Sequence, residues 1–254
     1  MSLPSTFQVC KYSFFGKGAN DVDIKVTATA IDPVNHKMRD HDAFIREYPV
    51  ILGSDAAGIM VAIDPDVNKL QVILQDAAEL VSKNLAKTSD EEALGIMLAT
   101  KIVVTAFYAD GHGTTPPWEE GRQHVGRGKS VIITGGASSI EQYAIQLAHL
   151  SGYKRIFTNA SSNNHDFLRK IGAHLVLDRS ASTPAALFKA KDEAPLNFVF
   201  NAISAPSIQK LSIQILQKAK VPGGFAAIEG ALALNESGLS GRKVGVGPGD
   251  TQPI

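Results

Sequence analysis

The spacing of hydrophobic and polar positions changes twice along the chain, and each change predicts a different architecture. Near the N-terminus short apolar runs such as Phe7-Gln8-Val9-Cys10 alternate with turn residues. The segment Asp23-Ile24-Lys25-Val26-Thr27-Ala28-Thr29-Ala30 then places apolar side chains at every second position, the spacing of a half-buried strand. The run from Gly53 to Ile63 continues with small and β-forming residues and stops at Asp64-Pro65-Asp66. The first part of the chain, up to about residue 67, therefore predicts a small β domain with turns. From Gln71 to Ala109 the spacing becomes helical, first through Leu80, Val81 and Leu85. It resumes through Ala93, Met97, Leu98, Val104, Phe107 and Tyr108, opened by the start signal Ser89-Asp90-Glu91-Glu92. Residues 110–128 hold five glycines, two prolines and the only tryptophan, and read as a surface excursion.

Beyond Gly128 short β-forming runs alternate with helical spacing. Ser130-Val131-Ile132-Ile133-Thr134 predicts a strand ending in Gly135-Gly136, and Ile140, Tyr143, Ala144, Leu147 and Ala148 predict a helix over 139–150. Strand 155–158, helix 166–171 closed by Gly172, and strand 174–178 complete a βαβαβ unit. A short helix over 184–191, strand 197–201, helix 206–217 and strand 224–228 follow. Short connections between alternating strands and helices imply a parallel sheet covered on both faces, wound right-handedly. The glycine- and proline-rich tail from Leu234 is expected to be poorly ordered.

Composition narrows the function. The 254 residues balance 25 Lys+Arg against 25 Asp+Glu, which leaves no basic excess for a general nucleic-acid surface. A 44% apolar fraction suffices for one large core or two smaller ones. The single cysteine, Cys10, excludes an internal disulfide framework and a metal site built from several thiolates, and suggests a reduced, cytoplasmic setting. No stretch approaches the ~20 apolar residues of a membrane span, and no secretory signal opens the chain.

The strongest chemical signal is Gly135-Gly136-Ala137-Ser138-Ser139-Ile140-Glu141, between the first strand of the regular half and its helix. A dinucleotide pyrophosphate needs a tight turn, close backbone approach, and the N-terminus of a helix whose amides and dipole face the phosphates. Gly135, Gly136, Ser138, Ser139 and Ile140 are the candidate contacts. Glycine turns also occur in βα connections that bind nothing, so the signal draws its force from the βαβαβ unit around it. Glu141 stands where the fingerprint asks for a small residue. A glutamate there is expected either to wedge the helix outward or to turn its carboxylate toward the phosphate site. The second strand runs into Asn159-Ala160-Ser161-Ser162-Asn163-Asn164 with no carboxylate until Asp166, which leans toward NADP(H), with NAD(H) as the alternative. Ser161 and Asn164 are the candidate contacts there; an ordinary polar loop capping the next helix is the other reading. Ala202 and Glu229, just after the fourth and fifth strands of this half, complete the expected cofactor-binding set.

Four segments in order, Asp32-Pro33-Val34-Asn35-His36-Lys37, Tyr48-Pro49-Val50-Ile51-Leu52-Gly53-Ser54-Asp55-Ala56-Ala57-Gly58, 130–150 and 172–178, resemble the medium-chain dehydrogenase/reductase superfamily. The resemblance is to its zinc-independent quinone oxidoreductase and enoyl reductase branch, including fungal zinc-binding or alcohol dehydrogenase-like reductases. It implies an α/β fold: a Rossmann doubly wound parallel sheet preceded by a partial GroES-like β domain. The expected domains are 1–109, the partial GroES-like domain plus linking helix, and 110–254, a Rossmann domain incomplete at its C-terminus. The family's Gly-Asp-Arg-Val strand is missing after Val67, and so is its sixth Rossmann strand, which reads as a shortened member or an imperfect gene model.

By the resemblance, Lys37 and Thr105 lie where related reductases place polar side chains near the nicotinamide, and Tyr48 precedes the cleft-forming loop. Lys37 is the preferred donor. A solvated lysine, a helix threonine bonded to its own backbone and a packing tyrosine are the bland readings of the three. The family reads Asn-Pro-Val-Asp where this chain has Asp32-Pro33-Val34-Asn35. Leu52-Gly53-Ser54-Asp55 replaces the Gly-His-Glu of zinc members, and the seven histidines show no paired metal spacing, so no metal is expected. A short-chain dehydrogenase would need a Tyr-x-x-x-Lys that does not follow the fourth strand. The reaction implied is hydride transfer from NADP(H) to a small α,β-unsaturated carbonyl or quinone, with neither nucleic acid nor membrane as partner. A homodimer through the last Rossmann strands would lack part of its interface here. The rival is a non-catalytic, degenerate nucleotide-binding or partner-binding remnant.

Overall fold

The computed structural model describes residues 22–42, 45, 52, 55–63, 87–108, 115–120, 124–181, 183, 186–187, 194–203, 205–219 and 225–227. It divides into two compact units, Met1–Leu98 and Ala99–Ile254. The linking helix, assigned to the first domain on sequence, falls almost wholly in the second unit.

In the first unit strand β1 (Val22–Thr29) pairs antiparallel with β2 (Ala56–Ile63). Gly58 is required by close approach: a Cβ there would lie 2.2 Å from the Lys25 carbonyl oxygen, and the register shifts beside it, between Val26 and Ala28. Helix α1 (Pro33–His41) lies between the strands in sequence and was not expected from the hydrophobic pattern. Its signals are local: Asp32 caps it in an extended conformation and Pro33 stands in the first turn, where a missing N–H costs nothing. Helix α2 (Asp90–Leu94) starts at the expected signal, with Ser89 Oγ accepting the Glu92 N–H at 3.2 Å and Glu92 Oε2 accepting the Ser89 N–H at 2.9 Å. The helical spacing at 71–86, the strand near Phe7, Tyr48 and the tail lie outside the described residues.

The second unit opens with helix α3 (Met97–Tyr108). It continues through β3 (Ser130–Thr134), α4 (Ser139–Leu150), β4 (Arg155–Ala160), a 3-10 turn (Ser162–Asn164), α5 (His165–Lys170), β5 (Leu175–Asp178), β6 (Leu196–Asn201), α6 (Pro206–Ala219) and β7 (Phe225–Ala227). Residues 186–187 are helical; the rest of the helix expected at 184–191 is not among the described residues. All sheet pairings are parallel, in the order β5-β4-β3-β6-β7. The chain goes outward from β3 in one direction and then in the other, so the strand order reverses between β3 and β6. That reversal is the switch point at which doubly wound sheets bind ligands.

β3 is buried along its whole length because helices cover both faces. Val131 and Ile133 join one core with Val103, Phe107, Ala144, Ile145 and Ala148, whereas Ile132 joins Phe157, Leu187, Val199, Leu211 and Ile215 on the other face. The alternation follows from the strand period of two. Phe107 meets Phe198 and Phe200 edge-on, with ring centroids 4.8 and 5.4 Å apart, and fastens α3 to β6.

Candidate functional site

The glycine turn sits at the C-terminal end of β3, beside the switch point. Gly135 has φ +75°, a conformation that favours glycine, and a Cβ at Gly136 would lie 2.3 Å from Thr158 Oγ1. The turn is tied to β4: the Gly135 N–H donates to Asn159 Oδ1 at 2.8 Å, and the Gly136 N–H donates to Thr158 Oγ1 and to the Asn159 carbonyl, each at 3.1 Å. Both glycine amides are thereby used within the chain. Thr158 and Asn159, buried at the end of β4, are site-forming residues that the sequence reading passed over. Their signal is positional: polar residues in an otherwise apolar strand, next to its C-terminal end.

Anion-binding capacity falls instead to the first turn of α4. Its leading amides have no acceptor within the helix, and its dipole places partial positive charge there. Ser138, the N-cap residue, makes no side-chain capping bond, and Ser138 and Ser139 are exposed. Gln142 Nε2 donates to the Ala137 carbonyl at 2.8 Å and steadies the approach to the helix. Ile140 is half-buried and packs against the core.

Glu141 does not wedge the helix outward; its carboxylate turns inward, to the end of β6 beside the switch point. The α4 face formed by Ala144, Ile145 and Ala148 remains fully buried, and Glu141 sits on that same face, 0% exposed. Its Oε1 accepts the Ala202 N–H at 3.2 Å. Oε2 and the nearby Asn201 Nδ2 are buried without hydrogen-bond partners. Burial pushes the Glu141 carboxyl up to about 7, opposed by hydrogen bonds from its own N–H and that of Ala202. Ala202, expected among the cofactor contacts, thus commits its amide to Glu141.

At the outer end of the site, Ser161 is exposed and caps the 3-10 turn, and Asn164 is half-buried within it. β4 ends in Asn159-Ala160 without a carboxylate. The nearest strand-end acid is Asp178, on β5, which accepts from Ser180 Oγ at 2.5 Å and from the Ser180 N–H at 2.9 Å. Those bonds hold its carboxyl below the usual range, and the charges of His165 and Arg179 add to the effect. Arg179 therefore brings positive charge to this edge, a feature the sequence reading did not assign. Glu229 lies outside the described residues.

In the first unit Lys37 is exposed on α1. The exchanged Asp32 and Asn35 form a local network in which Asn35 is buried and its Oδ1 accepts the Asp32 N–H at 2.7 Å. Asp32 also faces Asp55: burial raises Asp55 to about 6, with the Asp32 charge and a hydrogen bond to Asp32 adding to the rise and the Leu98 amide opposing it. This acid pair was not foreseen, because the two residues come from segments far apart in sequence. Thr105, in the second unit, is exposed on α3. Among the described residues no three His, Cys, Asp or Glu side chains gather as a metal site.

The fold and the glycine turn define a class, and comparison with known proteins agrees. Residues 18–73 match the alcohol dehydrogenase GroES-like domain. The chain is 28% identical over 213 residues to the trans-enoyl reductase himH of Aspergillus japonicus, covering 74% of this chain and 60% of that protein. It is 27% identical over 241 residues to the zinc-binding alcohol dehydrogenase domain-containing protein cipB of Emericella nidulans, covering 88% and 72%. The solved structure of CurK enoyl reductase superposes with a TM-score of 0.62 at 20% identity, covering 85% of this chain and 68% of that one, a likeness of fold. The chain has the α/β fold of the medium-chain dehydrogenase/reductase superfamily, a Rossmann sheet preceded by a GroES-like region. Its relatives include fungal trans-enoyl reductases and zinc-type alcohol dehydrogenase-like proteins, and it spans about 60% of the length of the first of them.

Proposed function

We propose that the chain is an NADP(H)-dependent oxidoreductase that transfers a hydride to a small α,β-unsaturated carbonyl or a quinone without zinc. The glycine turn carries the reading: Gly135-Gly136 is held at the switch point against β4, with the first turn of α4 and two exposed serines beside it. These groups fit a dinucleotide pyrophosphate, since the glycines pack the turn tightly onto β4 and the free amides and dipole of the α4 terminus favour an anion. Ser138, Ser139 and Ile140 would hold the phosphates, and Ser161, Asn164 and Arg179 the adenosine end. Hydroxyl, amide and cationic groups there suit a 2′-phosphate, which favours NADP(H) over NAD(H).

When bound, the nicotinamide would supply the hydride. The chain's task is then to stabilise the enolate oxygen and deliver a proton. Lys37 is the proposed donor, with Thr105 and Tyr48 as further polar contacts and Glu229 at the cofactor. Zinc independence rests on the donor set: a single cysteine, and Ser54-Asp55 in place of a His-Glu pair. A cytoplasmic setting is part of the same reading, supported by the lone cysteine, and no helix among the described residues is long and apolar enough to cross a membrane. Assembly as a homodimer belongs to the same reading.

The test is loss of nicotinamide absorbance when the protein is mixed with NADPH and a conjugated enal or a quinone. Turnover that falls at least about tenfold in Lys37→Ala supports the assignment. Absence of turnover with either acceptor class, despite NADPH binding, favours the second reading, a nucleotide-binding remnant, for which the buried Glu141 speaks.

A further inference from the structure

Glu141 is the only acidic side chain among the described residues that is fully buried. It lies in the first turn of α4, yet its Oε1 reaches the amide of Ala202, immediately after β6. The side chain thus spans the switch point, from the helix that follows β3 to the end of β6. Its second oxygen meets no donor. A carboxylate in this place is poorly solvated and lies next to the helix terminus on which the proposed pyrophosphate would sit.

We propose that dinucleotide binding by this chain is proton-linked through Glu141, the neutral acid admitting the phosphates and the carboxylate repelling them. The inference rests on the dinucleotide reading above and adds its regulation. The geometry supports it in two ways. Carboxylate and pyrophosphate draw on the same helix terminus, whose partial positive charge favours one anion. The fully buried carboxylate is shielded from solvent, so its repulsion of an anion at that terminus is weakly screened.

Among the described residues no other charge stands ready to neutralise Glu141. β3, β6 and the turn 135–138 carry no ionisable side chain, and β4 carries only Arg155, at its opposite end. On α4 the other titratable groups are Tyr143 and His149; Lys101 on α3 and Lys210 and Lys218 on α6 are exposed. Burial accordingly governs its titration and raises the carboxyl to about 7, so both forms are populated near neutral pH. When the dinucleotide binds above that pH, Glu141 takes up one proton from the buffer and no other bond changes.

The experiment measures the dissociation constant of NADPH for the full chain and for Glu141→Gln, by nicotinamide fluorescence from about pH 6 to about pH 9. The ratio of the two constants cancels the ionisation of the nucleotide itself. It should lie near one at the acid end and climb toward the limit of about tenfold per pH unit above the Glu141 pKa. Calorimetry in buffers of different ionisation enthalpy should show proton uptake that approaches one per NADPH in wild type and vanishes in Glu141→Gln, beyond what the nucleotide contributes. Glu141→Gly, which removes the carboxyl altogether, should match the Gln variant in its flat profile, and it keeps the test intact if the amide disturbs folding. A constant ratio together with tight binding overturns the linkage and leaves the dinucleotide reading standing. If wild type at the acid end and both variants all fail to bind NADPH or NADH, the dinucleotide reading itself is wrong, and the linkage falls with it.

Discussion

Replacing Gly136 with alanine tests the geometry of the glycine turn at one atom. The new methyl group would lie 2.3 Å from Thr158 Oγ1, 3.1 Å from its Cγ2 and 3.2 Å from its Cβ. Thr158 cannot swing aside: it is β-branched, fully buried, and accepts the Gly136 N–H through Oγ1. Overpacking of this kind costs about 1–3 kcal/mol. Separation of the Gly136 N–H from Oγ1 adds little, because the Asn159 carbonyl also accepts that N–H at 3.1 Å. We therefore expect Gly136→Ala to destabilise the second unit by roughly 1–3 kcal/mol. Thr158→Ala opens the space, so the double variant should be more stable than the sum of the single variants by about 1–2 kcal/mol. Gly128→Ala is the control: its φ is +75° but a Cβ there meets nothing within 4 Å, so only backbone strain of about 1–2 kcal/mol applies, and Thr158→Ala should not relieve it. Trp118 is the only tryptophan and packs edge-on against Tyr108 at 5.1 Å, so urea unfolding followed by its fluorescence reports on this unit. A Gly136→Ala variant within about 0.5 kcal/mol of wild type, or strict additivity with Thr158→Ala, would refute the placement of the turn.

Three further outcomes are expected. NADPH should bind more tightly than NADH, and Arg179→Ala should narrow the preference by on the order of tenfold; equal affinities in wild type would contradict the reading of the β4 and β5 ends. Elemental analysis of the purified protein should find no stoichiometric zinc, and one zinc per chain would contradict the donor-set argument. Burial pushes the Asp55 carboxyl up to about 6, above the ordinary aspartate value, so its charge opposes folding above pH 6 and the penalty fades as pH falls toward the unfolded value. Asp55→Asn should then raise the melting temperature at neutral and alkaline pH with the gain lost near pH 4, and a gain independent of pH would exclude this cause.

The Rossmann half was legible because its signals are local and mutually consistent. The run Ser130-Val131-Ile132-Ile133-Thr134 is bounded by Gly128 and Gly135, and the helix 139–150 was expected with the bounds the structure gives it. Helix α1 was missed because its sequence, PVNHKMRDH, lacks an apolar stripe; only Pro33 and the preceding Asp32 announce it. Glu141 was legible as an anomaly but not as a connection, since nothing in sequence links it to Ala202. The same holds for Asp32 and Asp55, and for the ties from Thr158 and Asn159 to the glycine turn: contacts between distant segments are made by the topology. Lys37 and Thr105 stay assignments by resemblance, each exposed on its own helix.

The central claim is that this chain binds a nicotinamide dinucleotide at the glycine turn, and equilibrium titration of NADPH at about pH 6, where Glu141 is neutral, measures it most directly. Nicotinamide fluorescence should saturate at one NADPH per chain, and Ser139→Asp, which adds a charge at the first turn of α4, should weaken binding by at least about tenfold. Absence of saturation up to millimolar NADPH or NADH, or equal binding by Ser139→Asp, would contradict it.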